Sequence, residues 1–173
     1  LEQGIRAHDA GDRATAMKCY RRVLERQPRN ADAVYLTGVA HYQEGKLPQA
    51  RAGIGKAIRL NRKVPYYYYY YGLVLRDLGE TEAAVRALRQ GLRLNPELLP
   101  FHEELAPLLI RLGRAKEAVQ AARKWIQASP EAEKAYNILG MGLLAKHEPE
   151  RAREAFEQAI ALRAEYPEAW NNL

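Results

Sequence analysis

Cysteine is almost absent. Cys19 stands alone in 173 residues, which excludes an internal disulfide framework and any thiolate-rich zinc site. No apolar run approaches the roughly 20 residues of a membrane-crossing helix, and no basic segment followed by an apolar one marks a secretory signal. A signal could have been removed, so the compartment stays open, with a cytoplasmic location favoured. The parts of a catalytic site are missing as well. His8, His41, His102 and His147 are scattered, and none has a second ligand at i+3 or i+4 with a third nearby. They read as surface or partly packed imidazoles, and no metal or other cofactor is expected. Cys19 has no His at a spacing that would make a nucleophile pair. Glu103 and Glu104 are adjacent, and adjacent helical residues do not face each other. The glycines are spread rather than clustered into a phosphate-cradling loop. The chain is not expected to be an enzyme, although it could be part of a larger one.

What is present is a folded composition with punctuation. Hydrophobic residues make up 47% and charged residues 28%, ordinary for a packed soluble chain. The 12 Gly and 9 Pro would break long helices unless they fell at regular stops, and they do. Sliding the chain against itself reveals a period of 34 residues without an insertion. One column reads Ala16, Ala50, Ala84, Ala118, Ala152. Another reads Gly4, Gly38, Gly72, Ala106, Gly140. A third reads Gly11, Gly45, Gly79, Gly113, with His147 in the fifth place. Pro28, Pro96 and Pro130 share a column, and Leu24, Ile58, Leu92, Ile126 and Ile160 share an apolar one.

Within each period the apolar residues recur at helical spacing in two stretches, as in Tyr136, Leu139, Leu143 and then Ala152, Ala155, Phe156, Ala159. The turn glycine between them supplies a positive φ, and the later proline opens the next segment without continuing the last. Each period thus predicts two antiparallel helices of about 12 residues. One such pair cannot bury its apolar faces alone, so neighbours must stack. Two local departures stand out. Trp125 occupies the small column of Ala57, Gly91 and Ala159, while Ala122 stands where Tyr20, Ile54, Leu88 and Phe156 stand, an exchange of large and small. Pro107 falls inside a first helix, where a kink is expected rather than a break.

The run Tyr136-x2-Leu139-Gly140-x2-Leu143, followed by Ala152-x3-Phe156 and later by Trp170-x2-Leu173, resembles the tetratricopeptide repeat. The resemblance covers the whole chain. It implies an all-α, right-handed α-solenoid of stacked helix-turn-helix units: a single array over 1–173, with repeats at 1–30, 31–64, 65–98, 99–132 and 133–166 and the start of a sixth at 167–173. Stretches such as "YRRVLERQP" and "GVAHYQEGK" are also similar to bacterial arrays fused to glycosyl-, sulfo- or methyltransferase domains.

In that family the first helices line a concave groove that holds an extended peptide or a partner helix. The resemblance therefore implies a protein-interaction scaffold whose partner is a protein or peptide. The repeat register aims Tyr35, Val39 and Tyr42 at the groove from the second repeat, and Tyr66, Tyr69, Tyr70, Leu73 and Arg76 from the third. Ile110, Asn137 and Met141 follow from the fourth and fifth. Six consecutive tyrosines, Tyr66–Tyr71, go right round a helix at about 100° per residue, so they divide their roles. By column, Tyr68 and Tyr71 belong to the core, Tyr67 packs toward the preceding repeat, and Tyr66, Tyr69 and Tyr70 are left for the groove. The positions matching the carboxylate clamp of chaperone-binding arrays are Leu1, Ile5, Leu36, Tyr66 and Tyr70, which cannot clamp an anion. The column matching the asparagine ladder of glycosyltransferase arrays reads Leu36, Tyr70, Glu104, Ile138, Asn172, and only Asn172 fits. A ligand with apolar or aromatic anchors is expected instead.

Charge suggests a rival. Residues 1–96 carry 17 Lys and Arg against 9 Asp and Glu, whereas residues 97–173 carry 10 against 12. Much of the excess falls on second helices, at Arg21, Arg22, Lys56, Arg59, Arg86, Arg89, Arg93, Arg123 and Lys124. Such a stripe could meet nucleic acid or an anionic membrane, but no aromatic interleaves it to stack bases, and a solvated face is the default. The alternatives to a peptide-binding scaffold are accordingly the targeting arm of a larger transferase and a basic face for anions. Leu1 and Leu173 both fall within first helices without a polar cap, which raises the expectation of a longer array or of end-to-end self-association.

Overall fold

The computed structural model describes residues 1–173, and all of its regular structure is helical. The helices α3 (Ala31–Gln43), α5 (Pro65–Asp77), α7 (Leu99–Arg111), α9 (Glu133–Leu144) and α11 (Pro167–Asn172) start at 34-residue steps. Their partners are α4 (Leu47–Leu60), α6 (Thr81–Leu94), α8 (Ala115–Ala128) and α10 (Pro149–Leu162), and α1 (Glu2–Asp9) pairs with α2 (Arg13–Arg26). The chain divides into two compact units, Leu1–Leu94 and Asn95–Leu173. Within the first, α1 packs on α2, α3 on α4 and α5 on α6, with α2 against α3 and α4 against α5. Within the second, α7 packs on α8 and α9 on α10, with α8 and α7 against α9 and α10 against α11.

Local chemistry sets the helix ends. Asp12 caps α2 by accepting the Thr15 N–H at 3.0 Å, and Asn30 caps α3 by accepting that of Ala33 at 3.0 Å. Pro65, Pro149 and Pro167 each fix φ at the first position of a helix, and Pro48 and Pro100 sit at the second. Pro28, Pro96 and Pro130, expected to open the next segment, instead sit in the turns three residues before it. Between the helices of each of the first four pairs the turn glycine has φ between +66° and +79°. His147 takes the same left-handed conformation at φ 60°. α7 runs unbroken through Pro107.

The small columns are where paired helices touch. A Cβ placed on Gly140 would lie 2.4 Å from Phe156 Cε1, and one on Gly72 would lie 2.8 Å from Leu88 Cγ. Each glycine faces the large residue sixteen positions ahead, Tyr20, Ile54, Leu88 or Phe156. In the fourth repeat that residue is Ala122, which leaves room for the Cβ of Ala106. Ala106 and Ala122 are both fully buried, and Trp125 is buried beside them at 6% exposure. The exchange of large and small thus reaches across to the facing helix.

Candidate functional site

The first helices of the Leu1–Leu94 unit share a face, and one spacing recurs on it. Four side-chain contacts between consecutive first helices join residue i to residue i+35. His8 Nε2 lies 2.8 Å from Gln43 Oε1, the Tyr42 hydroxyl donates to Asp77 Oδ2 at 2.8 Å, and the Tyr67 hydroxyl donates to Asp32. The rings of Tyr35 and Tyr70 meet edge to face at 5.9 Å. In the Asn95–Leu173 unit the Asn172 amide donates to Asn137 Oδ1 at 3.0 Å across the same separation. At these contacts a column meets the next column of the following repeat rather than its own.

On this face six tyrosines form a continuous set of ring contacts. Tyr67 stacks on Tyr35 with centroids 4.6 Å apart, and Tyr35 meets Tyr70 edge to face. Tyr70 meets Tyr69 at 5.5 Å and 89°, and Tyr69 meets Tyr66 at 6.1 Å and 75°. Tyr42 joins the same set through Tyr70 at 6.2 Å and 81°. Perpendicular rings set the positive edge of one against the negative face of the next, the favoured arrangement for aromatic pairs. The set grades from inside to outside: Tyr67 is buried, Tyr35, Tyr42, Tyr69 and Tyr70 are half-buried, and Tyr66 is 44% exposed.

Burial holds the Tyr35 phenol well above its ordinary pKa, and the nearby Tyr70, Tyr67, Tyr66 and Asp32 push in the same direction. Burial raises Tyr67 too, helped by its bond to Asp32. Both phenols stay protonated and available as donors. At the other end of the face Arg76 Nε donates to Asp77 Oδ1 at 2.8 Å, and Arg76 Nη2 lies 3.4 Å from the Tyr42 oxygen. Burial of Asp77 opposes its ionisation, but the bonds from Arg76 and Tyr42 prevail and hold its carboxyl below the usual range.

Several expected groove residues are placed differently. Val39 and Leu73 are 4% and 8% exposed, covered by their own chain, so they support the surface without offering area to a partner. Asn137 is 6% exposed, with its side chain engaged by Asn172. Met141 packs on the cluster of Val119, Leu143 and Phe156, and Ile110 is half-buried. Tyr35 is not purely a surface residue either, because it also packs against Val34 and Ile54 and their neighbours. Of the two tyrosines expected in the core, Tyr68 is buried and donates to the Arg62 carbonyl at 3.2 Å. Tyr71 is only half-buried, lying over Gly55, which has no side chain to enclose it. Sequence reasoning missed Asp32, Gln43 and Asp77. The 34-residue columns align like with like, whereas these contacts run one column aside.

Charge in this unit is segregated by helix. α1, α3 and α5 carry two cations and four carboxylates, net −2; α2, α4 and α6 carry eleven cations and two carboxylates, net +9. No group of three or more His, Cys, Asp and Glu is arranged to hold a metal ion, and no helix is long and apolar enough to cross a membrane.

Comparison with known proteins gives the following. The family model described as tetratricopeptide repeat matches residues 1–68, 71–133 and 139–173. None of the curated proteins matches the chain in sequence. Among solved structures, a crystal structure of MamA is 24% identical, with 96% of this chain and 99% of that chain covered and a TM-score of 0.83. The crystal structure of YrrB, described as a TPR protein with an unusual peptide-binding site, is 21% identical, with 97% and 87% covered and a TM-score of 0.88. A piece of MamA from Desulfovibrio magneticus RS-1 is 19% identical, with 93% and 91% covered and a TM-score of 0.81. At these identities the likeness is one of fold.

Proposed function

The chain belongs to the tetratricopeptide repeat family, and on that premise we propose that it is a non-catalytic protein-interaction scaffold whose tyrosine face on α3 and α5 holds an extended peptide or a partner helix. The observation that carries this reading is the graded ring set from buried Tyr67 to exposed Tyr66. Tyrosine brings large apolar area, a hydroxyl and little rotamer entropy to lose, which suits a rigid binding surface. The anchors are Tyr66, Tyr69 and Tyr70, with Tyr35 and Tyr42 behind them, while Arg76 is engaged with Asp77 and Tyr42 and shapes the edge. The crystal structure of YrrB, whose description names a peptide-binding site, supports the class of partner. An arm that targets a larger transferase would use the same face.

The variant Tyr66→Ala plus Tyr69→Ala tests it, using partners captured on the parent chain and then titrated against both. Loss of two aromatic anchors weakens a partner by about 2 kcal/mol or more, roughly thirtyfold. A partner held equally by both chains would show that the tyrosines only pack. Self-association is a further part of the proposal. Leu1 and Ile5 on the first unit, and Trp170 and Leu173 on the second, are 36%, 37%, 56% and 51% exposed and offer apolar area for it. Light scattering that gives a concentration-independent monomer would remove it.

A further inference from the structure

We propose that the exposed faces of α2, α4 and α6 bind the phosphate backbone of a nucleic-acid duplex, as a second surface separate from the tyrosine face. Positions 18, 21, 22 and 25 of α2 lie on one helical face at i, i+3, i+4 and i+7. The repeat returns them as 52, 55, 56 and 59 in α4 and as 86, 89, 90 and 93 in α6. Eight of these twelve positions are Lys or Arg, and Glu25 is the single carboxylate among them. Arg89 is half-buried and already engaged; the other seven cations are exposed.

The surrounding carboxylates do not neutralise them. Glu80 holds Arg51 at 2.7 Å, Glu44 holds Lys46 at 2.8 Å, and Asp12 caps α2 through Thr15. Glu82, in the first turn of α6, is the only other acid on these helices. The links 27–30 and 61–64 add Arg29, Arg62 and Lys63 and no acid. A merely solvated face mixes its signs, because like charges at i, i+3 and i+4 repel. The helix α10 does so: the same columns hold Glu154, Glu157, Gln158 and Ala161, and Arg153 pairs with Glu157 at 3.8 Å. The repeat itself therefore asks for no cations there, yet α2 and α6 set like charges at those very spacings.

The side chains present select the occupant. Single strands are held by rings on which bases stack, and none of the twelve positions is aromatic. A helix lying on a membrane inserts large apolar side chains, and nothing larger than alanine is apolar here. What suits the stripe is a regular row of phosphates met by charge alone, as a duplex presents it. Six of the eight cations are arginine, whose planar fork matches phosphate oxygens in pairs.

The test titrates the full chain into labelled DNA and RNA duplexes of about 20 base pairs, read by fluorescence anisotropy at several sodium chloride concentrations. At least one duplex should bind with a Kd of about 1–100 µM near physiological salt, and the tighter one identifies the source of the phosphates. The logarithm of affinity should fall against that of salt with a slope of about −4, as for four or five neutralised phosphates. Arg22→Gln plus Lys56→Gln should flatten the slope by about two at unchanged helicity. Tyr66→Ala plus Tyr69→Ala should bind the duplex like the parent, which keeps this surface distinct from the tyrosine face. Neither duplex bound at low salt, or an unchanged slope in the glutamine variant, would overturn the proposal. So would tighter binding to a single strand of the same sequence, to polyglutamate or to phosphatidylserine vesicles, each of which would name a different occupant.

Discussion

Replacing Gly140 by alanine is the most direct probe of how the paired helices are held. In isolation the change should help, because alanine is better than glycine in a helix interior by about 1 kcal/mol. Here the added methyl would lie 2.4, 2.7 and 2.7 Å from three carbons of the Phe156 ring, where carbon atoms pack comfortably at roughly 3.5–4.0 Å. The obstacle is the broad side of a fully buried ring, so about 1 Å of helix separation or an off-rotamer phenylalanine is required. Overpacking of this size costs about 1–3 kcal/mol, which outweighs the propensity gain and leaves a net loss of about 1–2 kcal/mol. Phe156→Ala alone should cost about 3–5 kcal/mol through the cavity it leaves. In that background Gly140→Ala should become neutral or favourable, because the clash has gone. The double-mutant cycle, read by urea unfolding, should therefore show a coupling of about 2 kcal/mol between the two sites. The fourth repeat already carries the doubly changed pair as Ala106 and Ala122, with Trp125 restoring the volume. A Gly140→Ala chain as stable as the parent, with additive effects in the cycle, would refute the close-contact account of the whole column.

Other positions make separate claims. Ala84 is fully buried between paired helices, so Ala84→Leu should cost about 1–3 kcal/mol, whereas exposed Ala161→Leu should stay within about 0.5 kcal/mol in thermal melts. His147→Gly should raise stability by about 0.5–1 kcal/mol, visible as a higher Tm, because the left-handed conformation at φ 60° burdens any residue with a Cβ. The phenols of Tyr35 and Tyr67 are raised in the folded chain, so the unfolded state ionises first and stability is lost as pH climbs above about 10. Tyr35→Phe should make that alkaline loss shallower. Direct tyrosinate titration should show the Tyr35 and Tyr67 phenols ionising only as the fold is lost.

Much of the fold was legible because its constraints are local and repeated. A glycine at four of the five turns, a small residue at each crossing and a helical apolar pattern pointed to eleven helices and the 34-residue step between first helices. The covariation of Ala106 with Ala122 was also present in the letters, since both belong to columns that the period aligns. The candidate site was legible only in part. Periodicity placed Tyr66, Tyr69 and Tyr70 on the first-helix face, and that follows from helix geometry alone. It could not say that Val39, Leu73 and Asn137 would be covered by neighbours, because a residue's exposure depends on the helices stacked beside it. Nor could it pair Tyr42 with Asp77 or Tyr67 with Asp32. The sequence by itself determined which residues are equivalent from one repeat to the next. Only the tertiary structure decided which residues touch, because stacking joins columns that the period keeps apart.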